Sequence, residues 1–98
     1  MTLELNYGVF ESYVVCKKKQ FDGIQYIFRF ENNYGASVVK HGGSYGHGKD
    51  LWELAVIKFT DESNEEWELN YDTEITSDVI GYLDDDDVRD LLNRIRGL

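Results

Sequence analysis

Residues 43–50, Gly-Ser-Tyr-Gly-His-Gly-Lys-Asp, come close to a phosphate-binding loop. In that motif a Gly-Lys pair follows four residues after a first glycine, so that backbone N–H groups surround the phosphates and the lysine contacts them. The motif then needs a hydroxyl for magnesium, but Asp50 occupies this position and its carboxylate would repel phosphate. The motif should also open a helix, whereas the residues that follow have the pattern of a strand. The sequence therefore predicts a glycine-rich connecting loop instead of a nucleotide site.

His41 directly precedes this loop and His47 lies within it. Two imidazoles could share a metal ion or act as acid and base. Both roles need further ligands or a nucleophile, and the spacing of the chain supplies neither. We therefore expect no metal, no cofactor and no catalytic residue. Contact with a ligand or partner through Tyr45 and His47 stays open, and a small-ligand or metal-binding module on residues 42–50 is kept as an alternative.

Cys16 is followed by Lys17, Lys18 and Lys19, which would favour a thiolate if the sulfur were exposed. Cys16 ends an apolar segment, however, and a small buried residue is the usual occupant of such a position. We predict a structural cysteine and place the lysine triplet in a solvated turn. A single cysteine also excludes an internal disulfide and fits a reducing compartment.

The sharpest feature of the chain is the distribution of its charge. Residues 60–98 carry thirteen acidic and three basic side chains, whereas residues 1–59 carry six acidic and seven basic ones. Such an acidic half repels nucleic acid and anionic membranes and attracts basic protein surfaces. A solvated face that keeps the protein soluble is the simplest interpretation. A more specific interpretation is that the carboxylates imitate a phosphate backbone and occupy the basic groove of a nucleic-acid-binding protein.

Five strands are expected to position these groups, at residues 9–16, 23–31, 36–41, 51–59 and 66–71. Alternating apolar residues mark the second strand, and Asn-Asn-Tyr-Gly at residues 32–35 supplies a turn into the third. Residues 51–59 are apolar on both faces, which is typical of a central strand covered on both sides. A hairpin turn at residues 61–64 leads into the fifth strand, where Trp67 should face the core.

A helix is predicted at residues 85–96, with Val88, Leu91, Leu92 and Ile95 on one stripe. Asp84 can cap its first turn, and Asp85–Asp87 suit the positive end of the helix dipole. Calcium is not expected there, because calcium loops alternate their ligands around a bending glycine. The fold class is therefore α+β: one domain, residues 1–98, with a curled antiparallel sheet of four or five strands and one C-terminal amphipathic helix.

The size and composition fit one globular domain with an adequate core. The chain has no apolar run of the ~18 residues that span a bilayer and no signal-peptide pattern at its start. These features predict a cytoplasmic protein.

Four strings in the chain resemble a family of small hypothetical proteins from bacteriophage genomes. They are Phe-Glu-Asn-Asn-Tyr-Gly-Ala-Ser-Val-Val at 30–39, Ser-Tyr-Gly at 44–46, Leu-Trp-Glu-Leu-Ala-Val at 51–56, and Tyr-Asp-Thr-Glu-Ile-Thr-Ser-Asp-Val-Ile-Gly-Tyr-Leu at 71–83. The likeness runs from Phe30 to the C-terminus and implies a phage or prophage product in a bacterial cytoplasm. It implies no activity and no catalytic residue, although small acidic proteins in that setting often block host enzymes.

Together these observations predict a non-enzymatic protein that binds a basic host or phage protein, such as a nucleic-acid-binding or defence protein. The expected contact residues are Glu65, Glu66, Glu68, Asp72, Glu74, Tyr45 and His47. No direct binding of nucleic acid or membrane is expected. An oligomeric accessory that uses the second face of residues 51–59 is a further alternative.

Overall fold

The computed structural model describes residues 8–20, 23–40, 52–63, 66–69 and 80–98. These residues form a 3-10 segment at Gly8–Tyr13, six strands and a helix. The strands are β1 (Val14–Gln20), β2 (Gly23–Arg29), β3 (Tyr34–Lys40), β4 (Trp52–Phe59), β5 (Trp67–Leu69) and β6 (Ile80–Leu83), and the helix is α1 (Asp85–Arg96). The predicted α+β class, with an antiparallel sheet and a C-terminal helix, is confirmed.

The sheet has the order β1-β2-β3-β4-β5, and every neighbouring pair is antiparallel. The second edge of β4 is shared, because β6 pairs near Trp52 and Leu54 while β5 pairs with Ile57–Phe59. The described residues therefore form six strands, and the prediction of four or five was too low. The sequence pattern missed β6, which is four residues long and contains a glycine.

The N-terminal part of the fold differs from the prediction of a strand at residues 9–16. Gly8–Tyr13 is a 3-10 segment, and it buries Phe10 against the edge of the Phe30 ring, 6.1 Å between centroids. This contact outweighs the strand preference of the local sequence. β1 consequently starts later and includes Lys17, Lys18 and Lys19, so placing the lysine triplet in a turn was wrong.

The β2–β3 turn follows the prediction from Asn-Asn-Tyr-Gly. Asn33 has a φ of 67°, a left-handed conformation that asparagine tolerates better than most residues. The N–H of Phe30 donates to the carbonyl of Tyr34 at 2.8 Å and closes the hairpin.

Helix α1 has the predicted bounds, and its ends are formed by the predicted residues. The carboxylate of Asp84 accepts from the N–H of Asp87 at 2.8 Å, and the Asp87 carboxylate accepts from the N–H of Asp84 at 3.2 Å. This reciprocal capping box satisfies two N–H groups that a helix start leaves unpaired. The four apolar residues of the predicted stripe are buried, each worth about 1.5–3 kcal/mol of burial.

Strand β4 is buried on both faces, as its sequence predicts. Trp52, Leu54 and Val56 lie in the larger cluster, which also contains the apolar stripe of α1. Ile57 and Phe59 pack with Ile27 in a second cluster on the opposite face. Since this second face is buried within a single chain, it supplies no reason to expect a second copy there.

Candidate interaction surface

The turn between β4 and β5 carries three described acidic side chains, those of Asp61, Glu62 and Glu66. The N–H and the hydroxyl of Thr60 both donate to the carbonyl of Glu66, at 3.0 and 3.2 Å, and join the two ends of the turn. Inside it, the N–H of Ser63 donates to the Asp61 carboxylate at 2.8 Å. This Asx-type bond fixes the start of the turn.

Arg29, at the end of β2, holds this turn from outside. Its guanidinium donates to the carbonyl oxygens of Asp61, Glu62 and Ser63 at 2.8, 3.3 and 3.1 Å. It also donates to the Asn33 side-chain oxygen at 3.1 Å, and its central carbon lies 4.5 Å from the centre of the Phe59 ring. Only arginine supplies so many donors in one rigid plane. The backbone of the turn is therefore fastened to β2 and to the β2–β3 turn.

This arrangement leaves the carboxylates of the turn in solvent. We call the exposed side chains of Asp61, Glu62, Glu66 and Glu68 the acidic hairpin. Among the described residues, Arg89 and Asp86 form a salt bridge, and it lies on α1, away from this hairpin. Glu68 lies opposite Lys58 in the β4–β5 register, and the Lys58 ammonium is 5.2 Å from the centre of the Tyr34 ring.

The aspartate run at the start of α1 has a different role from the acidic hairpin. Asp84 and Asp87 form the capping box, Asp85 accepts from the indole N–H of Trp52 at 2.9 Å, and Asp86 pairs with Arg89. Each carboxylate has a local structural partner. The prediction that Asp84 caps α1 and that Asp85–Asp87 lie in its first turn is confirmed.

Two of the predicted contact residues, Glu66 and Glu68, lie together in the acidic hairpin. Glu65, Asp72, Glu74, Tyr45 and His47 fall outside the described residues, as does the whole of loop 42–50. Trp67 is half-buried and packs against the cluster of Ile27, Ile57 and Phe59, as predicted. The sequence analysis missed Arg29, because its partners are backbone carbonyls more than thirty residues away and leave no mark in the sequence.

A second polar arrangement lies inside the molecule at the end of β3. Lys40 is 1 % exposed, and its ammonium lies 4.4 Å from the centre of the Trp52 ring. Trp52 also meets the edge of Tyr26, with ring centres 5.8 Å apart, and Lys17 lies 5.4 Å from the centre of the Tyr26 ring. Cations over aromatic faces are attracted by the ring quadrupole, more strongly when water is excluded. Lys40 is thus held as part of the core.

Tyr13 forms a smaller polar group near the C-terminal end of α1. Its hydroxyl donates to the Glu31 carboxylate at 2.9 Å, and this bond, together with desolvation, raises the pKa of the Tyr13 phenol. Arg96, whose guanidinium carbon is 5.3 Å from the ring centre, acts in the opposite direction.

Among the described residues, no group of three or more His, Cys, Asp or Glu side chains is arranged to hold a metal ion. In the same residues, no helix has the length and apolar character required to cross a membrane. Comparisons of the chain with protein-family models, curated proteins and solved structures found no match.

Proposed function

We propose that this protein is a non-enzymatic binding protein of phage type, working in the bacterial cytoplasm. It uses the acidic hairpin to engage a basic surface of a host or phage protein, and the preferred target is a nucleic-acid-binding or defence protein. The observation that carries the proposal is the contact of Arg29 with three consecutive turn carbonyls.

That contact matters because a charged surface binds best when it is already ordered. Ordering a loop on binding costs free energy, and a turn held in place before binding avoids that cost. Arg29 holds the backbone of residues 61–63, while the carboxylates of the acidic hairpin remain exposed to solvent. Such a surface steers a basic partner by long-range attraction and fixes its orientation at contact.

The sheet supports the proposal as a scaffold. Trp67 and Phe59 anchor the base of the hairpin in the second cluster, so that the turn projects from a packed element. We also take the sheet to be curled, since β4 is buried on both faces although α1 packs on one of them.

The test compares two variants that each remove two negative charges. E62Q/E66Q removes them from the acidic hairpin, and E11Q/D90N removes them from exposed positions elsewhere. Binding to a lysine-rich peptide is measured by fluorescence anisotropy at low and at high salt. We expect roughly fivefold weaker binding for E62Q/E66Q, little change for E11Q/D90N, and loss of binding for all proteins in ~0.5 M salt.

Equal affinities of the two variants would reject the acidic hairpin as the contact surface. Affinity that persists at high salt would reject the electrostatic basis of the proposal. A pull-down from bacterial lysate with the wild-type protein and E62Q/E66Q then identifies the natural partner as the protein that the variant fails to retain.

A further inference from the structure

The two margins of the sheet carry opposite charges. Among the described strands, β1 pairs with β2 alone and β5 pairs with β4 alone, so they lie at opposite ends of the order β1-β2-β3-β4-β5. An edge strand directs backbone N–H and C=O groups outward, where they can accept another strand. The charge of the side chains at each edge then determines which strand can approach.

The β1 margin is basic. Lys18 and Lys19 are exposed on this strand. The irregularity in its pairing with β2 is confined to the stretch between Val14 and Cys16, and from Cys16 to Gln20 the register is continuous. The lysine half of β1 is therefore a regular strand, which another strand can extend.

The β5 margin is acidic and partly apolar. Glu66 and Glu68 are exposed there, and the side chain of Leu69 is 49 % exposed. Leu69 pairs with Ile57, and Cys16 pairs with Ile27, which packs with Ile57 in the second cluster. Leu69 and Cys16 consequently lie on the same face of the sheet, at its two opposite margins.

We propose that these margins bind each other in two copies of this chain, with β1 of one copy adding beside β5 of the next. Side chains alternate between the two faces of a strand, so Lys19 of one molecule then lies on the face of Glu66 and Glu68 of the next, and Lys18 lies on the face of Leu69. The backbones extend the sheet. A second copy is the partner favoured by the observations, because the edge of complementary charge belongs to the same molecule. The contact is head-to-tail, so it continues beyond a dimer.

The net charge of −9 opposes this contact only at a distance. At ~0.15 M ionic strength the repulsion between whole molecules fades within about 8 Å, and the charges that touch at the edges decide the outcome. Lysines on an edge strand also serve to prevent edge pairing. A protein that remains monomeric at all concentrations under these conditions overturns the proposal in favour of that protective role.

The first experiment uses light scattering over a range of concentrations at ~0.15 M salt. The wild-type mass should rise roughly twofold or more with concentration. K18E/K19E and E66K/E68K should each stay monomeric alone, because both edges then carry like charges. A mixture of the two variants should associate again, since each edge finds its opposite. Failure of the mixture to associate, with both variants folded by circular dichroism, also overturns the proposal.

The second experiment joins the two margins covalently through the native Cys16. L69C places a second thiol on the same face at the other margin, and N93C places one on exposed helix surface as a control. Neighbouring strands bring residues close enough for a disulfide. Oxidised L69C should give a ladder of dimers and larger species on a denaturing gel, and N93C should not. Equal ladders from both variants would overturn the proposed contact.

This inference uses two residues of the acidic hairpin but stands apart from the proposed function. K18E/K19E leaves the hairpin unchanged, so it should lose self-association and still bind the lysine-rich peptide. If self-association fails while peptide binding persists, only the inference falls. If peptide binding fails while the L69C ladder forms, only the proposed function falls.

Discussion

The side-chain amide of Asn32 caps the C-terminus of α1, donating to the carbonyl oxygen of Ile95 at 3.0 Å. The same nitrogen lies 3.2 Å from the carbonyl oxygen of Arg96 and 3.0 Å from that of Leu98. The last carbonyls of a helix have no partner within it, and a single turn residue donates to two of them here. The β2–β3 turn thus fixes where the helix ends against the sheet.

We expect Asn32→Ala to destabilise the protein by about 1–2 kcal/mol, because the side-chain amide no longer donates to the end of α1 and the Asn32 oxygen no longer accepts from the N–H of Tyr34. Thermal unfolding measures the loss. Asn93→Ala is the matched control, since Asn93 is exposed on α1, and it should be close to neutral. Equal effects of the two substitutions would contradict the capping role.

Arg29→Lys should loosen the acidic hairpin without altering its carboxylates. Lysine keeps the charge but cannot reach three carbonyls and the Phe59 ring with one ammonium. We expect a loss of about 1–2 kcal/mol and faster hydrogen exchange of the amides of Asp61–Ser63, with little change in α1. Binding to the lysine-rich peptide should weaken as well. Unchanged exchange at the turn would show that Arg29 does not order it.

Gly35→Ala should cost about 3 kcal/mol or more, since overpacking at a rigid site is destabilising. A methyl group here would overlap the backbone carbonyl of Phe28 and lie 2.9 Å from a ring carbon of Phe59. The backbone of β2 cannot yield without disturbing its pairing with β3. Chemical denaturation measures the loss, and Gly97→Ala, where the nearest atom is 3.5 Å away, should change much less.

Because of Tyr13, we expect the stability of the folded protein to depend on pH in the alkaline range. The hydrogen bond to Glu31 raises the pKa of the phenol in the folded state, so folding favours the protonated form. This contribution is fully present below the unfolded pKa of about 10 and is lost as the pH rises through the folded value. Wild-type stability should therefore fall more steeply above about pH 10 than that of Tyr13→Phe. Parallel stability curves for the two proteins would contradict this role.

Local signals in the sequence predicted the elements whose structure depends on nearby residues. The bounds and cap of α1 follow from Asp84 and a helical apolar stripe, and both-face burial of β4 follows from its composition. The β2–β3 turn follows from residues that accept positive φ. In each case the physical cause lies within a few residues, which is why the pattern is visible along the chain.

Tertiary structure alone decided the features that join distant segments. Lys17–Lys19 became part of β1 because the register with β2 continues through them, although lysine has little strand preference of its own. Lys40 became buried because the ring of Trp52 lies beside it, and Arg29 found its carbonyl partners across more than thirty residues. Such contacts have no period and no fixed spacing, since they depend on how strands align in space. The sequence determined α1, the β2–β3 turn, the central strand β4 and where the charge is concentrated along the chain. The folded chain decided the remaining elements, and which charges are held inward and which remain exposed.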